Sequence, residues 1–336
     1  MEGYRPASGN YELDCQFLYS CFTGNAAASK QKLVELLVRH DSQALKLIRQ
    51  TFFALYNQEL LVVLSRNRHN DALANVIYLR ISEPADRDAE ILRDAMFGWR
   101  VNLNILIEVV ITRSSSELLS IKEAYRFRYN SEIEQDIAHK TSGSYKELLN
   151  YIIYLYKTCT YFRSCTFKWQ VGGRVDMSMA MCDAKTLYEA VESGNSVDWK
   201  TIMSLISERN TAQMRAILVA YKQLYGYEFS KFLKGNKCGK LGREFRQVVR
   251  GIQFPHKFFV KQLRGALHNG ADGAREVLIR VTITRLEVDI RDISNGFAAK
   301  TGWSLGNFVR REFSDGGGDK SSGLVGQFLL GLLQHC

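Results

Sequence analysis

Apolar residues recur along this chain in four stretches that fall into one register when His40, Arg113, Arg209 and Arg285 are superposed. Eight positions after each anchor stand Ile48, Ile121, Ile217 and Ile293, and twelve after stand Phe52, Tyr125, Tyr221 and Phe297. Seven before stand Leu33, Leu106, Ile202 and Leu278. At plus twenty the set is Leu60, Ile133, Phe229 and Leu305, and at plus twenty-four it is Leu64, Ile137, Leu233 and Val309. Offsets that step by four mark one face of a helix. Four isoleucines do not align by chance, so the chain reads as four copies of one helical unit. Such a fold must bury its apolar faces between neighbouring copies.

The register divides the sequence into a polar leader at 1–13 and repeats at 14–80, 86–158, 184–252 and 259–334. The segment 159–183 is a longer connector between the second and third repeats. Each repeat reads as five short helices. In the second they are expected to begin near Ala85, Asn102, Ser115, Ser131 and Ser144, where serine and asparagine can cap free backbone N–H groups. The run Asp315–Gly323 reads as a flexible insertion before the last helix. None of the three prolines, Pro6, Pro84 and Pro255, interrupts a repeat, as suits helices. The fold class is all-α.

A formal charge of +10 on 336 residues favours anionic partners such as phospholipid head groups, nucleic acid or acidic protein surfaces. The basic residues are spread over all four repeats, which does not fit a specific nucleic-acid arm. Seven cysteines show no CxxC pair and no zinc spacing, and they read as reduced thiols of a cytosolic chain. The richest apolar run, Leu103–Ile111, is short and broken by Asn104 and Glu108, so a membrane would be met only at its surface.

The segment Thr112–Gly143, with its run TRSSSELLSIKEAYRFRYNSEIEQDIAHKTSG, resembles the second repeat of plant annexins. Ser65–Asp71, Ser207–Gly226 and the stretch from Phe258 through Ile290 resemble the corresponding parts of the other annexin repeats. The likeness covers essentially the whole chain. It implies a slightly curved disc of four five-helix repeats that binds acidic phospholipid through calcium on its convex face. In that family a Gly-x-Gly-Thr loop between the first two helices supplies carbonyl oxygens, and a carboxylate twenty-seven residues past the anchor completes the site; calcium takes such hard oxygen donors.

Carried over residue by residue, repeat 1 offers Asn25–Ala28 or, slipped by one, Gly24–Ala27, with Asn67; repeat 2 offers Gly98–Val101 with Lys140, and repeat 3 offers Gly194–Val197 with Asn236. None supplies the carboxylate. Repeat 4 reads Gly270-Ala271-Asp272-Gly273 and has Glu312 at the acid position. The resemblance therefore implies one weak Ca2+ site, with His268, Gly270, Asp272 and Glu312 as ligands. The competing reading makes Glu312, beside Arg310 and Arg311, a solvated surface charge.

Trp99 with Arg100 at the repeat-2 loop suits a water–hydrocarbon boundary, or else the ring folds back over its own repeat. The segment Gly235–Gly242 lacks the spacing and the Ser or Thr of a phosphate loop. Its Lys237 and Lys240, flanked by Lys234 and Arg243, are candidate contacts for anionic lipid. Six scattered histidines form no catalytic arrangement. The positions where the resemblance would place peroxidase or redox chemistry hold Arg39, Ile111 and Phe254, so no enzyme is expected. The expected function is peripheral binding of acidic phospholipid membrane from the cytoplasmic side, with little or no calcium dependence. The alternative is a cytosolic scaffold that binds a protein such as actin, or another annexin.

Overall fold

In the computed structural model the four anchors stand where the second helix of each repeat gives way to the third. Residues 11–23, 30–66, 68, 71–98, 101–140, 175–192, 196–209, 211–268, 270–314 and 320–335 are described, and among them the regular elements are all helices. Repeat 1 comprises α1 (Glu12–Thr23), α2 (Lys30–Arg39), α3 (Ser42–Tyr56), α4 (Leu60–Ser65) and α5 (Ala72–Ile81). Repeat 2 comprises α6 (Pro84–Phe97), α7 (Leu103–Thr112), α8 (Ser115–Tyr129) and α9 (Ile133–Lys140); the helix expected near Ser144 lies outside the described residues. Repeat 3 comprises α10 (Met177–Glu192), α11 (Trp199–Glu208), α12 (Thr211–Tyr225), α13 (Phe229–Phe232), a 3-10 turn at Asn236–Cys238 and α14 (Gly239–Gln253). Repeat 4 comprises α15 (Pro255–Ala266), α16 (Ala271–Arg285), α17 (Ile290–Thr301), α18 (Leu305–Phe313) and α19 (Lys320–Gln334).

Several sequence boundaries move, repeats 2 and 4 opening at Pro84 and Pro255. Helix α10 begins at Met177, inside the stretch read as connector, because its buried side is carried by Ala180, Asp183, Ala184 and Leu187 while Met177, Met179 and Met181 face solvent. Helix α19 already includes 320–323, which the glycine-rich composition had placed in a flexible insertion.

The anchor ties the junction of two helices back to the first helix of its own repeat. In repeat 2, Arg113 donates from Nε to Asp88 Oδ2 at 2.5 Å and from Nη2 to Oδ1 at 3.1 Å. In repeat 3, Arg209 grips Asp183 in the same two-pronged way at 2.7 and 3.1 Å. Repeat 1 keeps the pair with other chemistry, His40 Nε2 lying 3.1 Å from Asp14 Oδ2. Repeat 4 abandons it: at the acid's place stands Phe259, and the Arg285 guanidinium lies 4.7 Å from its ring centre and donates to Asp289 at 2.7 Å. Two parallel hydrogen bonds between guanidinium and carboxylate fix orientation as well as distance.

The third helices also end alike. Seventeen residues past the anchors stand Asn57, Asn130, Gly226 and Gly302, with φ of 48°, 47°, 79° and 74°. Their N–H groups donate to the carbonyls of Phe53, Arg126, Lys222 and Ala298. Glycine and asparagine tolerate this left-handed conformation, which closes a helix and reverses the chain. Starts are capped as well: Asp41 accepts from Ala44 N at 2.8 Å, and Ser114 with Glu117 forms a reciprocal capping box.

Packing groups the repeats in pairs. One compact unit spans 84–258 and holds repeats 2 and 3; the other joins 1–83 with 259–336 and holds repeats 1 and 4. Within the first, α14 lies against α7 closely enough that a Cβ on Gly251 would come within 1.9 Å of Ile111 Cδ1. Within the second, α19 packs on α2 and α5, with Gly331 set against Val38. There, buried Arg80 donates to the carbonyl of His40 at 3.2 Å and to Glu287 Oε1 at 3.0 Å, linking the first and fourth repeats. Burial alone would raise Glu287, but hydrogen bonds from Ser42 and the charge of Arg80 outweigh it and hold the carboxyl below its ordinary range.

Candidate cation and membrane-contact sites

The repeat-4 loop enters α16 through Gly270, whose carbonyl accepts the first helical hydrogen bond, from Ala274 N at 3.1 Å. Asp272 therefore lies in the first turn of α16, exposed, where a carboxylate complements the helix N-terminus. His268 is exposed, its backbone N–H donating to Gly265 O at 3.1 Å. Glu312 lies in the last turn of α18. Arg275, one turn into α16, donates to the Glu312 carbonyl at 2.8 Å and so brings this residue to the loop.

The carboxylate of Glu312 is nonetheless engaged. Arg311 donates from Nε to Glu312 Oε1 at 2.6 Å, and its Nη2 also contacts that oxygen. The same Nη2 reaches across to the carbonyl of Leu267 at 3.4 Å. The Glu312 side chain is only 9 % exposed under this cover. The Leu267 carbonyl and the Glu312 carboxylate thus both face the Arg311 guanidinium. As they stand, these residues do not fit a dication, since like charge disfavours its entry. Among the described residues no three His, Cys, Asp or Glu side chains are grouped to hold a metal.

The other repeats also place protein cations at the equivalent loops. In repeat 2, Lys140 Nζ lies 4.3 Å from the centre of the Phe97 ring, which Arg93 covers at 3.5 Å. In repeat 1, Lys30 at the start of α2 bonds Asp71 at 2.6 Å, and Asp71 caps α5 by accepting from Leu73 N at 2.9 Å. Burial alone would raise Asp71, but Lys30 and the backbone N–H groups outweigh it and hold it low. Gly24–Ala28, Asn67, Trp99, Arg100, Gly194 and Asn195 lie outside the described residues.

Repeat 3 supplies the densest charge. Lys231, Lys234, Lys237, Lys240 and Arg243 are all exposed around the 3-10 turn between α13 and α14, and no acid occurs from Phe229 to Arg243. Gly239, with φ 56°, makes the turn that starts α14. The flanking acid Glu244 is half-buried, and burial pushes its carboxyl up despite Lys240 and Arg243. Asn236, at the position of the family carboxylate, is one more exposed residue of this loop. No helix among the described residues is long and apolar enough to cross a membrane.

Arg311 and Arg275 were not evident as parts of a site from the sequence; the only signal was an arginine adjacent to the acid and another ten residues before the anchor. The acids that hold the anchors were equally unforeseen, although an aspartate twenty-five or twenty-six residues upstream in three repeats was there to be read.

The sequence profile of the family described as Annexin matches residues 87–152 and 182–243. Annexin D7 of Arabidopsis thaliana is 29 % identical over 325 residues, covering 96 % of this chain and 95 % of its own. Annexin Gh1 of Gossypium hirsutum is 30 % identical over 285 residues, covering 84 % of this chain and 85 % of its own. Among solved structures, annexin III superposes with a TM-score of 0.78 at 21 % identity, covering 99 % of this chain and 95 % of that one. The repeated register, its helical outcome and these likenesses agree: the chain belongs to the annexin family.

Proposed function

We propose that this chain binds the surface of acidic phospholipid membranes mainly through its own lysine and arginine side chains, with calcium in a minor role. The family is one of calcium-dependent phospholipid-binding proteins. The supporting observation is the exposed, acid-free loop 231–243 of repeat 3, with five cations where the family pattern would hold calcium. A cation near an anionic leaflet contributes roughly 1 kcal/mol. In repeat 4 calcium enters only by displacing Arg311, which places its affinity at the weak end of such sites, on the order of 10⁻³ M.

Sedimentation with phosphatidylserine and with phosphatidylcholine vesicles, in chelator and in calcium, over a salt series, tests the reading. Binding to the acidic vesicles is expected in chelator, and it weakens as added salt shortens the screening length from about 8 Å toward about 3 Å. Changing both Lys237 and Lys240 to Gln lowers the affinity by about 30-fold, the product of two such contributions. Binding that requires calcium and ignores salt would overturn the proposal. Absence from every vesicle pellet would turn the reading to a scaffold for protein partners such as actin.

A further inference from the structure

We propose that Arg311 is a resident counter-cation that closes the repeat-4 loop in place of a divalent ion, and so sets which cations this site accepts. The inference deepens the calcium-sparing reading above and rests on it.

Two oxygen-bearing groups meet at this point, the Leu267 carbonyl and the Glu312 carboxylate, and the exposed Asp272 stands in the first turn of α16. Backbone carbonyl and carboxylate are the hard donors that calcium selects. In this chain a guanidinium spans the first two, with 3.4 Å to the carbonyl and 2.6 Å to the carboxylate. Its Cζ also lies 5.3 Å from the Trp303 ring centre and 5.0 Å from that of Phe308. An arginine near aromatic rings and bonded to a carboxylate keeps its charge. The Glu312 backbone is pinned separately by Arg275, so the donors stay near the loop when Arg311 is replaced.

A fixed cation does two things that an exchangeable one does not. It neutralises Glu312 without metal. It also presents like charge to any incoming dication, and entry then requires breaking the Arg311–Glu312 pair. Arg311 is about two-fifths exposed, so replacing it opens no core cavity.

The test uses the full chain without vesicles, so that its outcome stands apart from that of membrane binding. Terbium(III) is the probe, excited through Trp303, with calcium added as competitor and calorimetry with calcium alone as a second readout. Wild type is expected to saturate no more tightly than about 10⁻³ M, the weak limit of such sites. Arg311→Gln is expected to bind at least tenfold more tightly, with calcium displacing the terbium signal. Arg311→Gln/Glu312→Gln loses that gain, and Arg311→Lys, which keeps the charge, shows little of it. Glu312→Gln alone shows no gain over wild type. The proposal is overturned if Arg311→Gln binds no better than wild type while its circular dichroism is native. It is equally overturned if the double variant keeps the gain, or if Glu312→Gln weakens a tight wild-type site; this last measurement decides the matter even where the Arg311 variants do not fold.

Discussion

Replacing Arg113 by methionine removes the cation of the best-formed anchor in the chain. Its side chain is 7 % exposed and that of Asp88 is 3 %, so the carboxylate left behind loses two hydrogen bonds and has little water to replace them. Burial alone would lower the arginine's affinity for its proton, but the charge and hydrogen bonds of Asp88 outweigh it. Breaking such a pair from one side costs about 3–5 kcal/mol. Asp88→Leu is expected to cost less, because Arg113 retains Thr112 Oγ1 at 3.0 Å and lies near the Glu108 charge. Asp88→Leu resembles repeat 4, where Phe259 takes the acid's place beside a retained Arg285, and the double variant recovers much of the loss, since a well-packed apolar pair often equals a buried ion pair. For a unit of this size each kcal/mol shifts the melting temperature by roughly 2–4 °C, so Arg113→Met melts about 6–20 °C lower. Urea and thermal melts followed by circular dichroism complete the double-mutant cycle. Single variants that each cost under about 1 kcal/mol, or a double variant that loses the sum of both, would show that the anchor pair does not hold the helix junction.

Three further outcomes follow from other parts of the fold. Asn130, at φ 47°, carries a left-handed cap; Asn130→Ala is expected to cost about 1–2 kcal/mol in a urea melt, whereas Asn130→Gly costs little, and equal losses would remove the conformational explanation. Among the described cysteines, Cys182 is exposed while burial, together with Asp14 and Glu12, pushes the Cys15 thiol up to about 11; timed alkylation at neutral pH read by mass spectrometry labels Cys182 first, and early labelling of Cys15 in the native chain contradicts the packing of α1. Glu287 and Asp71 are both held below their ordinary values in the folded chain. The stability they contribute is complete above the unfolded carboxylate range near pH 4 and drains away as pH falls through their lower folded values. Glu287→Gln therefore lowers the melting temperature at pH 7 and flattens its fall between about pH 5 and 2; an unchanged acid limb would show that this linkage is absent.

The sequence by itself determined the repeat and its buried face. Ile48, Ile121, Ile217 and Ile293 are all at most 1 % exposed, and Phe52, Tyr125, Tyr221 and Phe297 are fully buried. A helix presents one face to its core at fixed spacing, so that information is local and survives in a linear pattern. The caps were written there as well, in Asn57, Asn130, Gly226 and Gly302 at one offset, because a left-handed residue is a property of a single backbone position. The basic loop of repeat 3 could be read for the same reason: its charges are contiguous in the chain, and nothing folded over them reverses their exposure.

Tertiary structure alone decided where side chains that are distant or ambiguous in direction go. No local pattern says that repeat 1 shares its core with repeat 4, a choice made by α19 packing on α2 and α5 and by Arg80 reaching Glu287. Nor does adjacency say which way two neighbouring charges turn. Arg311 and Glu312 follow one another on α18, where consecutive side chains ordinarily diverge by about 100°. Only the approach of α16, with Arg275 on the Glu312 carbonyl and the Leu267 carbonyl within reach, draws the guanidinium back over the acid. The residue types of a calcium loop were legible in the chain, but the approach of Arg311 to the Leu267 carbonyl and of Arg275 to the Glu312 carbonyl joins residues 44 and 37 apart, which only packing brings together.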